Sequence, residues 1–366
     1  MLKWMTCSLS LVAALLLVAC GGAAGSAAPT VAPAAEAAPT ETAADLSAVK
    51  DYARDNSRQM KAGTVALAET AAAYYELVAA HNFDYAAAWA ADGPALAQLV
   101  ADAKTQWTTA HTSYELDEGI IAGVPSLTFY DVWIDAGPSA EEDPTGAYEW
   151  TLELPDGRRL PSPGNIFHSL LEPIIWGTRT EFVGLPVDLD GDGTIALGEV
   201  LPEANVLLAA AQSMDGATGE MLATVENWQP TLSDAFTALA VMIPTMNEYF
   251  EQWKLSTYVA EDAQETAFVG VSRLFDINGI LAGLDFTYGN LATLVQTTDP
   301  SLHAQIADGF TDLRSYVGDL YQQEQNGVRF TAAQADLFGG EAQAKATALA
   351  GQVSQAAALL NVTIAE

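Results

Sequence analysis

Positive charge and cysteine are what this chain has least of. Its 366 residues carry 14 Lys and Arg against 47 Asp and Glu, a formal net charge of -33. That balance excludes phosphate-backbone binding, which needs clustered Lys and Arg to displace counterions. The same field attracts cations and repels anionic substrates. Acidity of this degree also accompanies saline or calcium-rich surroundings, so by itself it does not argue for a metal site. The two cysteines are Cys7 and Cys20, too few for a disulfide framework once the N-terminus is considered. Beyond that N-terminus no apolar run is long enough to cross a bilayer. Gly-x-Ser-x-Gly, phosphate-loop and dinucleotide fingerprints are lacking, and so is the His-Glu-x-x-His of zincin proteases.

The N-terminus has Lys3, an apolar run from Leu9 to Ala19, and then Leu17-Val18-Ala19-Cys20. This is a short secretory signal ending in a lipobox. Residues 1–19 are expected to be removed, which takes Cys7 with them and leaves Cys20 to carry lipid. From Cys20 to Asp45 the chain is mostly Ala, Pro, Thr, Gly and Glu. It has too little apolar surface to fold and is a flexible tether. The remaining roughly 320 residues suffice for one large or two ordinary domains.

From Leu46 to Ile121 apolar residues recur at helical spacing, as in Leu67, Ala71, Tyr74 and Val78, with breaks expected at Asp84 and Gly93-Pro94. Between Pro125 and Pro163 prolines multiply. The alternating run Tyr148 to Leu154 with Asp156-Gly157 predicts a β-hairpin inserted between helices. Helices resume near Asn165 and dominate from Pro202. Thr231 with Asp234 and Thr331 with Gln334 carry the spacing of N-terminal capping boxes. Glu118-Gly119-Ile120-Ile121-Ala122-Gly123 is echoed by Asn278-Gly279-Ile280-Leu281-Ala282-Gly283 after helical stretches in both places. A mostly α fold of two four-helix-type bundles is the economical expectation, the first over 46–200 and the second over 201–366.

Three constellations carry chemistry. His168 and Glu172 stand one helical turn apart among apolar residues, with Pro173 placing Glu172 at a kink or a new first turn. The pair is either half of a cation site or a core histidine bonded to a carboxylate. Trp107, His111, Glu115 and Glu118 form one helical stripe. That stripe is either a solvated face or a ligand set turned toward His168 and Glu172 across a bundle. Asp188, Asp190, Asp192, Thr194 and Glu199 occupy positions 1, 3, 5, 7 and 12 of an EF-hand-like loop, with Gly193 at position 6 and Ile195 expected to pack inward. That pattern predicts a structural calcium site. His81 and His303 lack a carboxylate pattern and are expected at the surface or in helix packing.

These motifs in order resemble the imelysin family, bacterial envelope proteins related to iron-uptake lipoproteins and once described as metallopeptidases. Glu172, Trp176 and Gly177 fit the family's apolar run, although its Gly-x-His-x-x-Glu element is here Gly164 and His168-x-x-x-Glu172. Trp107 to Glu115 is similar to its tryptophan helix, and Tyr249-Phe250-Glu251-Gln252-Trp253-Lys254 to a later element. The resemblance implies two helical bundles and a metal held by His168, Glu172 and Glu115. Asp131 and Asp135 resemble an acidic segment that closes the site.

A mixed His and carboxylate set suits iron, manganese or zinc. The function expected is non-catalytic capture or uptake of a transition metal, iron foremost, by a lipid-anchored protein on the extracytoplasmic face of the bacterial envelope. Its partners would be the membrane and a metal-uptake permease, not nucleic acid. The alternatives are a metal-dependent peptidase and a calcium-stabilised surface scaffold.

Overall fold

The structure, a computed structural model, describes residues 44–259 and 267–365. The expected signal sequence, Cys20 and nearly all of the expected tether lie outside the described residues. Within them the fold is mostly α, with two small antiparallel strand pairs. Helix α1, Ser47–Ala79, buries Val49, Ala53, Met60, Leu67, Ala71, Tyr74 and Val78, three, four or seven residues apart along one face. Each such large apolar side chain removed from water contributes roughly 1.5–3 kcal/mol.

Helix α2, Tyr85–Ile121, packs along α1. The break expected at Asp84 is there, and Asp84 caps the new helix by accepting from the Ala87 amide. The break expected at Gly93-Pro94 is present as a kink: Asp92 leaves the helical region, φ -126° and ψ 22°, and two helical segments run end to end across it, as the missing Pro94 donor and its ring require. His81 lies beside that kink with its Nε2 2.8 Å from Asp92 Oδ2, so it does have a carboxylate partner.

Short helix α3, Thr128–Asp131, runs into a π turn at Val132–Ala136. The predicted hairpin follows. Strand β1, Thr151–Glu153, pairs with β2, Arg159–Pro161, through a turn whose Gly157 takes φ +88°. A second π turn, Phe167–Leu171, leads into α4, Glu172–Trp176, with Pro173 in its first turn. A strand pair the sequence did not suggest comes next. It joins β3, Val183–Pro186, to β4, Val200–Pro202, and the acidic loop connects the two.

The remainder is helical: α5 Ala204–Asn227, α6 Leu232–Met242, α7 Met246–Leu255, α8 Arg273–Thr298, α9 Pro300–Gln325 and α10 Ala332–Leu359. Both predicted capping boxes form, at Thr231 with Asp234 and at Thr331 with Gln334. Such caps stabilise a helix by about 1 kcal/mol. Helix α5 lies on α1, α8 packs on both α2 and α9, and α10 contacts α6, α7 and α9. Residues 44–365 belong to one compact unit. No described helix is long and apolar enough to cross a membrane.

The sequence echo marks the crossing of α2 with α8. A Cβ on Gly283 would lie 2.4 Å from the Leu116 carbonyl oxygen, one on Gly119 2.8 Å from the Leu284 side chain, and one on Gly279 2.9 Å from Glu115 Cβ. The repeated glycines therefore let the two backbones approach where a larger residue would hold them apart.

Candidate metal centre

Four side chains from three elements converge in the interior. His111 and Glu115 project from α2 one turn apart, Asp135 from the first π turn and His168 from the second. One ligand atom from each lies within 4.8 Å of the others. Nε2 of His111 stands 3.3 Å from Nε2 of His168 and 2.9 Å from Oε1 of Glu115, and His168 Nε2 is 3.2 Å from Oδ1 of Asp135. All four residues are buried.

The donors fit a single ion. Nitrogen ligands about 2.0–2.1 Å from a metal stand about 3.0 Å apart at a right angle and about 3.4 Å apart at the tetrahedral angle, a range that brackets the spacing of the two imidazoles. Both oxygens of Glu115, Oδ1 of Asp135 and Nδ1 of His111 make no hydrogen bond among the described residues. The close imidazole nitrogens reach these oxygens within ion-pair distance but out of hydrogen-bond alignment. A buried polar group left so costs about 1–3 kcal/mol, and native proteins keep few. The oxygens of Glu115 and Asp135 left in this way fit a bound cation, whereas His111 Nδ1 lies on the other side of its ring, toward Asp276.

Glu172 plays a different part. Its Oε2 lies 2.9 Å from Nδ1 of His168 and accepts from the Phe268 amide at 2.8 Å. Its Oε1 accepts from the amides of Val269 and Gly270 at 2.8 and 2.7 Å. With both oxygens committed, Glu172 stands on the far side of the His168 ring from the cluster. It orients the imidazole, as outer carboxylates do for metal-binding histidines. The amide cradle that holds it includes Phe268 at φ +54°, a strained backbone for a bulky residue, of the kind that persists where the surroundings over-determine it.

The remaining charges complete the site. Arg273, at the start of α8, pairs with Asp276 at 2.9 Å and Gln252 at 2.8 Å, and its guanidinium lies over the rings of Phe268 and Tyr249. Asp276 Oδ1 is 3.9 Å from His111 Nδ1. Trp107 stacks on His111 with ring centroids 4.7 Å apart. Glu118 accepts from the Tyr249 hydroxyl at 2.5 Å and Asp131 from that of Tyr114 at 2.7 Å. A half-enclosed cavity of about 490 Å³ reaches this floor, lined by Glu118, Asp131, Asp135, His168, Glu248 and Arg273 among others.

Electrostatics separates the two histidines. Burial pushes His111 down to about 4, so it is neutral and ready to ligate. Burial acts the same way on His168, but Asp135 and Glu172 outweigh it and raise that imidazole to about 10. Burial, with neighbouring carboxylates adding, holds Glu115 and Glu118 well above the usual carboxylate range and lifts Asp131 to about 7. Asp135 is also buried, yet the His168 imidazolium keeps it below its ordinary value.

A sequence model of the imelysin family matches residues 171–360. The chain belongs to the imelysin family. Among curated proteins no sequence matches it. The matched span holds Glu172, Arg273 and Asp276, whereas His111, Glu115, Glu118, Asp131, Asp135 and His168 precede it. The extra residue by which His168-x-x-x-Glu172 exceeds the imelysin His-x-x-Glu spacing falls in the second π turn. A π turn takes one more residue per turn than an α-helix, so it absorbs the insertion while His168 still faces α2. Sequence reasoning passed over Arg273 and Asp276, whose signal was a basic and an acidic residue three apart at a helix start, and the amide cradle of 268–270, which leaves no side-chain signature.

The acidic loop is built locally. Asp188, Asp190 and Glu199 each bring a carboxylate oxygen within 4.8 Å of the others. Asp188 accepts from the amides of Gly191 and Gly193, and Glu199 from those of Leu189, Asp190 and Ala196. Asp192 Oδ1 accepts from Thr194 instead, through amide and hydroxyl. Gly193 takes φ +91°, as the sharp turn requires. Ile195 does not pack inward. It is 56% exposed, because strands rather than helices flank the loop and no second described loop pairs across it.

Proposed function

We propose that this imelysin-family protein captures a divalent transition metal, iron foremost, at the bacterial cell envelope and passes it on without chemical change. The observation that carries the reading is the pair of buried imidazole Nε2 atoms facing each other at 3.3 Å beside oxygens of Glu115 and Asp135 that no hydrogen bond satisfies. His111, Glu115, Asp135 and His168 would hold the ion, and the ion's part would be that of cargo. Glu172 would fix the tautomer of His168, and the cavity would be the route by which the ion enters. Cys20 would carry the lipid that keeps the protein at the membrane beside an uptake permease. The exposed acidic loop would hold calcium as a structural ion.

The geometry favours a binder over the peptidase alternative at one specific point. Glu172, the natural candidate for general base on the histidine's helix, has both oxygens committed to His168 and three backbone amides. The test is elemental analysis of protein purified without chelator, beside His111→Ala/His168→Ala and an assay on an unfolded protein substrate. Stoichiometric metal lost in the double variant, with no cleavage, is the expected result. Chelator-sensitive cleavage by the parent protein would overturn the binder reading, and metal retained by the double variant would overturn the site. In cells, Cys20→Ser should shift the protein out of the membrane fraction.

A further inference from the structure

We infer that the centre holds two cations, the second bound by Glu118, Asp131 and Asp135, with Asp135 shared between the two sites. This rests on the reading of the inner site above. Glu118, Asp131 and Asp135 each place a carboxylate oxygen within 4.8 Å of the other two, and Asp135 is the one member common to both groups. Spacing along the chain builds this. Glu115 and Glu118 are one turn apart on α2, and Asp131 and Asp135 are four apart across α3 and its π turn.

Two further observations point to a ligand there. Glu118 is only 2% exposed and its Oε2 makes no hydrogen bond among the described residues; Oδ1 of Asp135, 3% exposed, makes none either, with His168 Nε2 3.2 Å away on the inner side. Meanwhile a tyrosine hydroxyl orients each of the two outer carboxylates, Tyr249 on Glu118 and Tyr114 on Asp131, in the manner of outer-shell groups that aim metal ligands.

Charge argues for the same count. Six buried carboxylates, Glu115, Glu118, Asp131, Asp135, Glu172 and Asp276, gather around one guanidinium, Arg273, and two histidines. One divalent ion with Arg273 would bring three positive charges to these six groups, and a second divalent ion would bring five. Bundle interiors bridge paired metals with carboxylates in this way, typically with the ions about 3.5–4 Å apart. The outer set is all oxygen and lines the cavity. It therefore suits a hard ion such as Mn²⁺ or iron and meets an entering ion first.

Mn²⁺ tests this, added under anaerobic equilibrium dialysis to the full chain carrying Asp188→Asn and Glu199→Gln, which removes the exposed loop from the count. Two Mn²⁺ per chain are expected, with an electron paramagnetic resonance spectrum broadened by exchange between them. Glu118→Gln and Asp131→Asn should each leave one ion with the resolved hyperfine lines of isolated Mn²⁺, and circular dichroism checks that each variant folds. If one of the pair fails to fold, the other carries the test. One ion per chain in the parent, unchanged in both variants, overturns the second site and leaves the inner one standing. No bound Mn²⁺, or no loss in His111→Ala, overturns the inner site and this inference with it.

Discussion

At the scale of single residues, the centre works through two histidines with opposite tendencies. His111 is neutral because it is buried against Trp107, while His168 holds a proton between Asp135 and Glu172. That proton must leave when a metal enters, so affinity should climb as pH rises. Stability of the metal-free protein should do the reverse. A group whose folded pKa exceeds its unfolded value stabilises below the unfolded value and loses that contribution as pH climbs through the folded one. For His168 the window runs from 6.5 to about 10. Asp131 adds loss from 3.8 to about 7. His111, lowered to about 4, gains only between 4 and 6.5. The apo protein should therefore melt progressively lower from pH 6.5 to 9, and saturating Mn²⁺ should flatten or invert that slope. A metal-free melting temperature that climbs over this interval would contradict the assigned protonation. Glu172→Gln should weaken metal binding about 10–100-fold by freeing the His168 ring, without abolishing it as His168→Ala would; titration calorimetry separates the two.

At the scale of elements, two π turns and one glycine crossing set the geometry. Each π turn supplies one side chain of the buried cluster, Asp135 and His168, consistent with the tendency of such turns to occur at functional sites. The α2 and α8 backbones meet at Gly119, Gly279 and Gly283, one turn from Glu115 and Glu118. A methyl at Gly283 collides with backbone, which cannot rotate away, so Gly283→Ala should destabilise by about 1–3 kcal/mol. It should also lower metal affinity by displacing the stripe on α2. Loss of stability with unchanged affinity would show that the crossing holds the fold but not the site.

At the scale of the whole molecule, 47 acidic residues against 14 basic ones make self-repulsion a standing cost. Added monovalent salt should raise the melting temperature by screening it. Calcium should add to this through the acidic loop, by about 2.7 kcal/mol at a concentration a hundred times its dissociation constant. Glu199→Gln should remove the calcium increment and keep the salt increment; an unaltered calcium response in that variant would move the ion elsewhere. The loop is not remote from the centre, since Lys104 donates to the Gly198 carbonyl and lies over Trp176, whose ring packs 5.1 Å from Trp107.

The chain's pattern by itself determined what depends on neighbours in sequence. Helical periodicity marked α1, short-range side-chain chemistry marked both capping boxes, and a Gly-containing turn marked the β1–β2 hairpin. The candidate stripe was legible for the same reason, because His111, Glu115 and Glu118 share a face by spacing alone. The tertiary structure decided which stripe faces which. Burial of the α2 stripe, the pairing of two Nε2 atoms 57 residues apart, and the withdrawal of Glu172 to support His168 all follow from how α2, α8 and the π turns pack. Periodicity could not tell a solvated acidic face from a buried one, because the two differ only in what packs against them. The interruption at Gly93-Pro94 was legible too, because a missing backbone donor is a local fact; that both helical segments keep running along α1 on either side of non-helical Asp92 was decided by packing.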